Sequence, residues 1–105
     1  SPSQTLLTWN GDVRFNNSAE RQVFVNPIRR VIQTNRSMTL GELNTAAQSL
    51  YTKDYDDCNN TEAKAARHKV LGDTWKTEIK ALTVITISDA DADTLVDEIL
   101  NNCCA

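Results

Sequence analysis

The pattern of apolar and polar residues begins with two β-prone runs on either side of Asn10-Gly11, within Thr5–Asn16. An Asn-Gly pair between such runs is typical of a type I′ hairpin, because both central residues of that turn need positive φ. Side chains alternate between the two faces of a strand, so one face of this hairpin should be core. That face carries Leu6, Thr8, Val13 and Phe15.

Two shorter segments follow the hairpin. Gln22–Val25 is rich in β-branched and aromatic residues, which favours a strand. We expect it to stop at Asn26-Pro27, because the residue before a proline avoids the helical region. Ile28–Gln33 is interpreted as a further strand.

The middle of the chain has helical periodicity. Thr39 and Glu42 have the spacing of a capping box, and apolar residues at helical intervals then predict a helix from Leu40 to Thr52. Asn59 and Glu62 form a second candidate box. We expect a helix from Glu62 to Leu71 that stops at Gly72, a residue type common just beyond helix ends.

The last quarter of the chain indicates a strand that leads into a capped helix. Trp75–Ile87 is predicted as a long, central strand because both of its faces are fairly apolar towards its end. Ser88 is a natural N-cap for the helix that follows. The apolar stripe of that helix consists of Ala92, Leu95, Val96, Ile99 and Cys103.

These elements predict an α+β fold in a single domain, residues 1–105. It would have a small antiparallel sheet with an N-terminal hairpin, helices in the middle, and a C-terminal helix packed on the sheet or on a partner subunit. The formal net charge is −3, from 14 acidic and 11 basic residues. That balance argues against strong non-specific binding of nucleic acid. The sequence contains no apolar run of the roughly 20 residues that span a bilayer, so no membrane partner is expected.

The three cysteines are an odd number, and their positions are unusual for core residues. Cys58 follows an acidic stretch, and Cys103 and Cys104 are adjacent near the C-terminus. In an oxidising compartment, we expect Cys58 and at least one of the other two to form disulfides, within the chain or between chains. Three reduced thiols in a cytosolic protein are the alternative.

Candidate catalytic and metal-binding patterns are few. Asp89, Asp91 and Asp93 resemble the start of a calcium loop, but Thr94 and Leu100 replace its glycine and its final glutamate. His68 is the only histidine, and Cys58 is one candidate thiol for a catalytic Cys-His pair. An exposed histidine on a basic helix is the alternative. The nucleophile-elbow, phosphate-loop and zinc-protease motifs do not occur. The sequence therefore predicts a protein that is not an enzyme and has no cofactor or metal.

The hairpin Thr5–Asn16 and the strand-to-capped-helix segment Ala81–Asn101 together resemble the coat proteins of single-stranded RNA bacteriophages. The resemblance implies an antiparallel sheet, dimers locked by C-terminal helices, and a shell that holds RNA within a virion. The chain departs from that family between Met38 and Leu71, where it is helical and the family has strands. Our expectation is a coat-like structural subunit that forms homodimers.

Candidate contact residues follow from the sequence itself. A C-terminal helix that joins two subunits would use Leu95, Val96 and Ile99. The basic residues Arg14, Arg29 and Arg30 are candidates for contacts with RNA phosphates, and solvated surface residues are the alternative. A different class of function stays open: a small secreted effector or toxin, stabilised by disulfides, that binds an unknown protein or cell-surface target.

Overall fold

The computed structural model describes residues 4–9, 26–54 and 59–101, without the side chains of 53 and 54. Within these ranges the fold is α+β, as predicted, and it is mostly helical. The strands are β1 (Leu6–Thr8) and β2 (Ser37–Thr39). The helices are α1 (Pro27–Thr34), α2 (Leu40–Asp54), α3 (Thr61–Ala81) and α4 (Asp89–Asn101). No helix in the described ranges is both long enough and apolar enough to cross a membrane.

The strands β1 and β2 pair antiparallel, with Leu7 opposite Met38. The second strand of the predicted hairpin lies outside the described residues, as does the predicted strand Gln22–Val25. The predicted core face of β1 is wrong, because Leu7 and Trp9 are buried whereas Leu6 is 64% exposed. The indole N–H of Trp9 donates a hydrogen bond to the carbonyl of Ile32 (3.0 Å), which holds this face against α1.

Helix α1 replaces the strand that we predicted over Ile28–Gln33, and that prediction is wrong. Asn26 is the N-cap, and its side-chain oxygen accepts a hydrogen bond from the N–H of Ile28 (2.9 Å). Pro27 fits the first helical position, because its fixed φ is helical and its missing N–H would have no partner there. Ile28, Val31 and Ile32 are buried at helical spacing.

Helix α2 begins at the predicted capping box and continues to Asp54, two residues beyond the predicted end. The Thr39 hydroxyl accepts a hydrogen bond from the N–H of Glu42, and a carboxylate oxygen of Glu42 accepts one from the N–H of Thr39, each at 3.1 Å. The reciprocal bonds satisfy two backbone donors that have no partner within the helix. The inner face of the helix carries Leu43, Ala47 and Tyr51, all buried.

Helix α3 overturns two predictions: that a helix stops at Gly72, and that Trp75–Ile87 is a strand. The helix runs from Thr61 to Ala81, and its N-cap is Asn60 instead of Asn59. Its apolar positions repeat every four residues, and Leu71, Trp75 and Ile79 are buried. Gly72 is buried within the helix, where a Cβ would lie 3.8 Å from a methyl group of Leu100 on α4. An alanine side chain at this position would therefore fit between α3 and α4 in ordinary van der Waals contact.

The segment between α3 and α4 retains one trace of the predicted strand, an isolated antiparallel bridge between Ile85 and Trp9. Ser88 caps α4 as predicted, since its hydroxyl accepts a hydrogen bond from the N–H of Asp91 (3.1 Å). Helix α4 packs mainly against α3 and α2. Its predicted stripe is buried in the core of the same chain; Cys103, the last member, lies outside the described residues.

Candidate partner-binding surface on α2

Helix α2 has an inner face in the core and an outer face towards solvent. The outer face presents Glu42, Thr45, Ala46 and Ser49, which are exposed or half-buried. These positions are separated by three or four residues, so they lie along one side of the helix. The side chains between the two ends of this side are small, and the surface is shallow.

Two open depressions meet on this outer face, and we call them together the α2 surface. The depression beside the N-terminal half of α2 has a volume of about 620 Å³, and the one beside its C-terminal half about 400 Å³. Ala46 and Ser49 line both of them. Met38, Thr39, Gly41, Glu42 and Thr45 line only the first. Arg30, Val31, Thr34, Asn35 and Leu50 line only the second.

Several polar groups of the α2 surface form hydrogen bonds within the chain. The side-chain amide of Asn35 donates to the carbonyl of Val31 (3.0 Å) and to the hydroxyl of Thr34 (2.9 Å). The hydrogen bonds from Thr39 lower the pKa of Glu42, so this carboxylate stays ionised near neutral pH. The amide of Asn35 and the carboxylate of Glu42 therefore keep a hydrogen-bond partner of their own when another protein covers this face.

A smaller and more enclosed pocket lies between α2 and α4. Its volume is about 110 Å³, and its polar lining includes Asn44, Asp91, Thr94 and Glu98. The side-chain amide of Asn44 donates to a carboxylate oxygen of Glu98. Ligand pockets are usually about 300–1,000 Å³ and bury most of the ligand surface. This pocket has the volume of a few water molecules, and the larger depressions on the α2 surface are too open to enclose a substrate.

The calcium-loop pattern does not form a cluster of ligands. Asp89 is exposed, Asp91 lines the small pocket, and Asp93 pairs with the ammonium of Lys80 at 2.8 Å. Among the residues that the structure describes, no group of three or more His, Cys, Asp or Glu side chains could hold a metal ion. The acids at the start of α4 instead complement the positive end of its helix dipole.

Three basic residues on α3, namely Lys64, His68 and Lys76, contact other parts of the same chain. His68 lies 3.4 Å from a carboxylate oxygen of Asp97, and Lys76 lies 2.8 Å from the same oxygen. The hydrogen bond from Lys76 is the main cause of a lowered Asp97 pKa, and His68 adds to it. The ammonium of Lys64 donates to the carbonyl of Asn101, at the negative end of α4. These charges therefore join two helices of the core.

The guanidinium of Arg67 also contacts its own chain, 5.0 Å from the ring centre of Tyr51. The other member of the candidate Cys-His pair, Cys58, lies outside the described residues.

The predicted contact residues divide into three groups. Leu95, Val96 and Ile99 are 0–2% exposed within the single chain, so their stripe belongs to the chain's own core and offers a second subunit almost no surface. Arg29 and Arg30 lie half-buried on α1, and Arg30 lines the α2 surface. Arg14, Cys58, Cys103 and Cys104 lie outside the described residues.

The α2 surface was not predicted from the sequence. A signal for it was present, since the small residues Gly41, Thr45 and Ser49 recur at intervals of four along the helix. No family model matches this chain, and neither the curated proteins nor the solved structures include a match. The case for a function therefore depends on the geometry of the described residues.

Proposed function

We propose that this chain is a non-enzymatic structural subunit that associates with copies of itself, in the manner of a coat protein. The observation that carries the proposal is the open α2 surface, where small and half-buried apolar side chains lie beside polar groups several of which form hydrogen bonds within the chain. When another protein covers a face of this kind, few hydrogen bonds to water are lost without replacement. A small-molecule reaction, by contrast, usually occurs in a pocket that encloses its substrate.

The size of the surface favours assembly over a single tight contact. Seven residues line each depression and two are shared, so twelve residues line the α2 surface. A standard protein interface uses about 20–30 residues from each partner. One contact of this size gives a weak dimer. A subunit of a shell also needs contacts outside the α2 surface, and many weak contacts then act together because each one raises the effective concentration for the next.

The coat-like form of the proposal places the subunit in a virion, with RNA as its second partner. Arg14, Arg29 and Arg30 are the candidates for contacts with RNA phosphates. Because Arg30 lines the α2 surface, a subunit whose α2 surface is covered would use Arg14 and Arg29. The net charge of −3 means that such contacts depend on local charge. Binding should then weaken steeply as salt is added, because each phosphate contact releases a counterion.

The test is the mass of the purified chain across a wide concentration range, by light scattering after size exclusion, with negative-stain microscopy for larger particles. Ala46→Glu introduces a charge at the centre of the α2 surface. Thr77→Glu is the control, because Thr77 is exposed on α3, away from that surface. We expect the unmodified chain and the control to form oligomers and Ala46→Glu to remain monomeric. A monomeric unmodified chain at all concentrations would refute the proposal and favour the secreted effector.

A further inference from the structure

The charges of the α2 surface are of opposite sign at its two ends. Glu42 lies in the depression at the N-terminal half of α2, and Arg30 lies in the depression at its C-terminal half. The two depressions meet at Ala46 and Ser49. We infer that two copies of the chain pair through this surface in an antiparallel, twofold arrangement, in which Glu42 of each copy faces Arg30 of the other. This inference rests on the proposed self-association.

Twofold symmetry follows from how the surface is arranged. In a twofold contact the same patch is used by both copies, so each residue meets its counterpart from the opposite end of the patch. An axis through Ala46 and Ser49 superposes the depression with Glu42 on the depression with Arg30. A parallel arrangement would place the two carboxylates together and the two guanidinium groups together. Like charges placed together across an interface disfavour that orientation.

The apolar side chains follow the same arrangement. Half-buried Met38 lies in the same depression as Glu42, and half-buried Leu50 lies in the same depression as Arg30. Antiparallel pairing therefore places Met38 of each copy near Leu50 of the other. Each pair of Glu42 and Arg30 then forms beside apolar side chains from which water has been removed.

The centre of the surface allows the two helices to approach closely. From Glu42 to Ser49 is seven residues, or about 10 Å along the helix axis. The residues exposed between these positions, Thr45 and Ala46, have small side chains. Helices that pack through small side chains have axes near the short end of the usual distance of about 8–10 Å. Within that distance, long side chains at the two ends reach the neighbouring helix.

The experiment is a charge exchange, with the dissociation constant of the dimer measured by sedimentation. Arg30→Glu and Glu42→Lys each place like charges at both symmetry-related ends, and each should raise the dissociation constant tenfold or more, by roughly the effect of two unfavourable pairs. The double variant carries both reversals and should return to within about threefold of the unmodified chain, because both cross-pairs are restored. An equimolar mixture of the two single variants should form a heterodimer.

Two controls separate the interface from the fold. Glu42→Lys also removes half of a capping box, whereas Glu42→Gln keeps an oxygen that can accept from Thr39 and removes only the charge. This variant should weaken the dimer with its helix content unchanged by circular dichroism. Lys69→Glu reverses an exposed charge on α3 and should leave the dissociation constant unchanged.

The outcomes are distinguishable. If the unmodified chain is monomeric, the proposed self-association fails, and this inference fails with it. If the chain self-associates but the single reversals do not change the dissociation constant, or the double variant is as weak as the singles, the antiparallel pairing is wrong and self-association stands. If the chain is monomeric and its α2 surface is protected from solvent, we would conclude that another segment of the same chain covers that surface.

Discussion

Truncation of Ile99 to alanine tests the most specific feature of the core, which is the packing of α4 against α2 and α3. Ile99 is fully buried within the single chain, with 0% exposure. The substitution removes three carbon atoms, and at about 0.8 kcal/mol per buried methylene the lost transfer free energy is about 2.4 kcal/mol. A residual cavity adds to this when the surrounding helices cannot collapse, so the expected loss is about 3–5 kcal/mol.

The loss would be a large part of the free energy of unfolding, since small domains have about 5–15 kcal/mol in total. The assay is equilibrium unfolding in urea, followed by the fluorescence of Trp9 and Trp75. Both indoles are buried, at 4% and 1% exposure, so unfolding transfers them into water. The midpoint should fall while the slope against urea stays the same.

The matched control is Val70→Ala, which also shortens an aliphatic side chain in a helix. Val70 is 63% exposed, so this substitution should change stability by less than about 0.5 kcal/mol. A loss below about 0.5 kcal/mol for Ile99→Ala would mean that the stripe on α4 is not packed as described. The core arrangement would then be wrong, and the α4 stripe would again be a candidate for contact between subunits.

Two further variants test the contact between α3 and α4. Gly72→Ala should stabilise the chain by about 0.5–1 kcal/mol, because alanine is the better helix former. The new Cβ would meet its nearest neighbours on His68 and Leu100 at 3.5 and 3.8 Å, which is ordinary contact, so a lower midpoint in urea would contradict this packing. Asp97→Asn should destabilise the chain at neutral pH by about 0.5–1 kcal/mol, the size of a partly exposed ion pair. The Asp97 pKa is lowered in the folded chain, mainly by Lys76, so this contribution exists above the unfolded pKa near 4 and is lost as the pH falls through the folded value. Unfolding curves of Asp97→Asn and the unmodified chain should therefore converge in acid, and a difference that persists at low pH would refute the assignment.

Features set by neighbouring residues could be predicted from the sequence. The Thr39–Glu42 capping box and the Ser88 cap were predicted and are present, because both consist of hydrogen bonds across three residues. Distant parts of the chain do not enter such bonds. The apolar stripe of α4 was predicted for a related reason, since one side of this helix carries nearly all of its large apolar residues.

Features that depend on competing patterns could not be predicted in the same way. Asn26-Pro27 is compatible with a strand that ends and with a helix that begins, and only the spacing of Ile28, Val31 and Ile32 distinguishes them. The stretch after Gly72 has β-branched residues near its end, but Trp75 and Ile79 continue a helical repeat. Packing against α4 decides in favour of the helix as far as Ala81.

The candidate surface illustrates a further difficulty, because the small side chains at its centre form no sequence motif for catalysis or metal binding. A surface made of Gly41, Thr45, Ala46 and Ser49 becomes visible only when the inner face of α2 is known to be buried. The pattern of small residues predicts close approach of a neighbour, but the sequence does not say whether that neighbour is a helix of the same chain. The structure leaves these positions on the outer face.

The distribution of charge explains why partner binding is better assigned to α2 than to α3 or α4. Between α3 and α4, Lys80 pairs with Asp93 and Lys76 pairs with Asp97. A partner that bound there would have to break or desolvate those pairs, and each lost pair leaves a charge without its counterpart. On the α2 surface, the two charged residues lie at the ends and the centre is neutral. A partner can cover that centre without removing the Lys80–Asp93 pair or the Lys76–Asp97 pair.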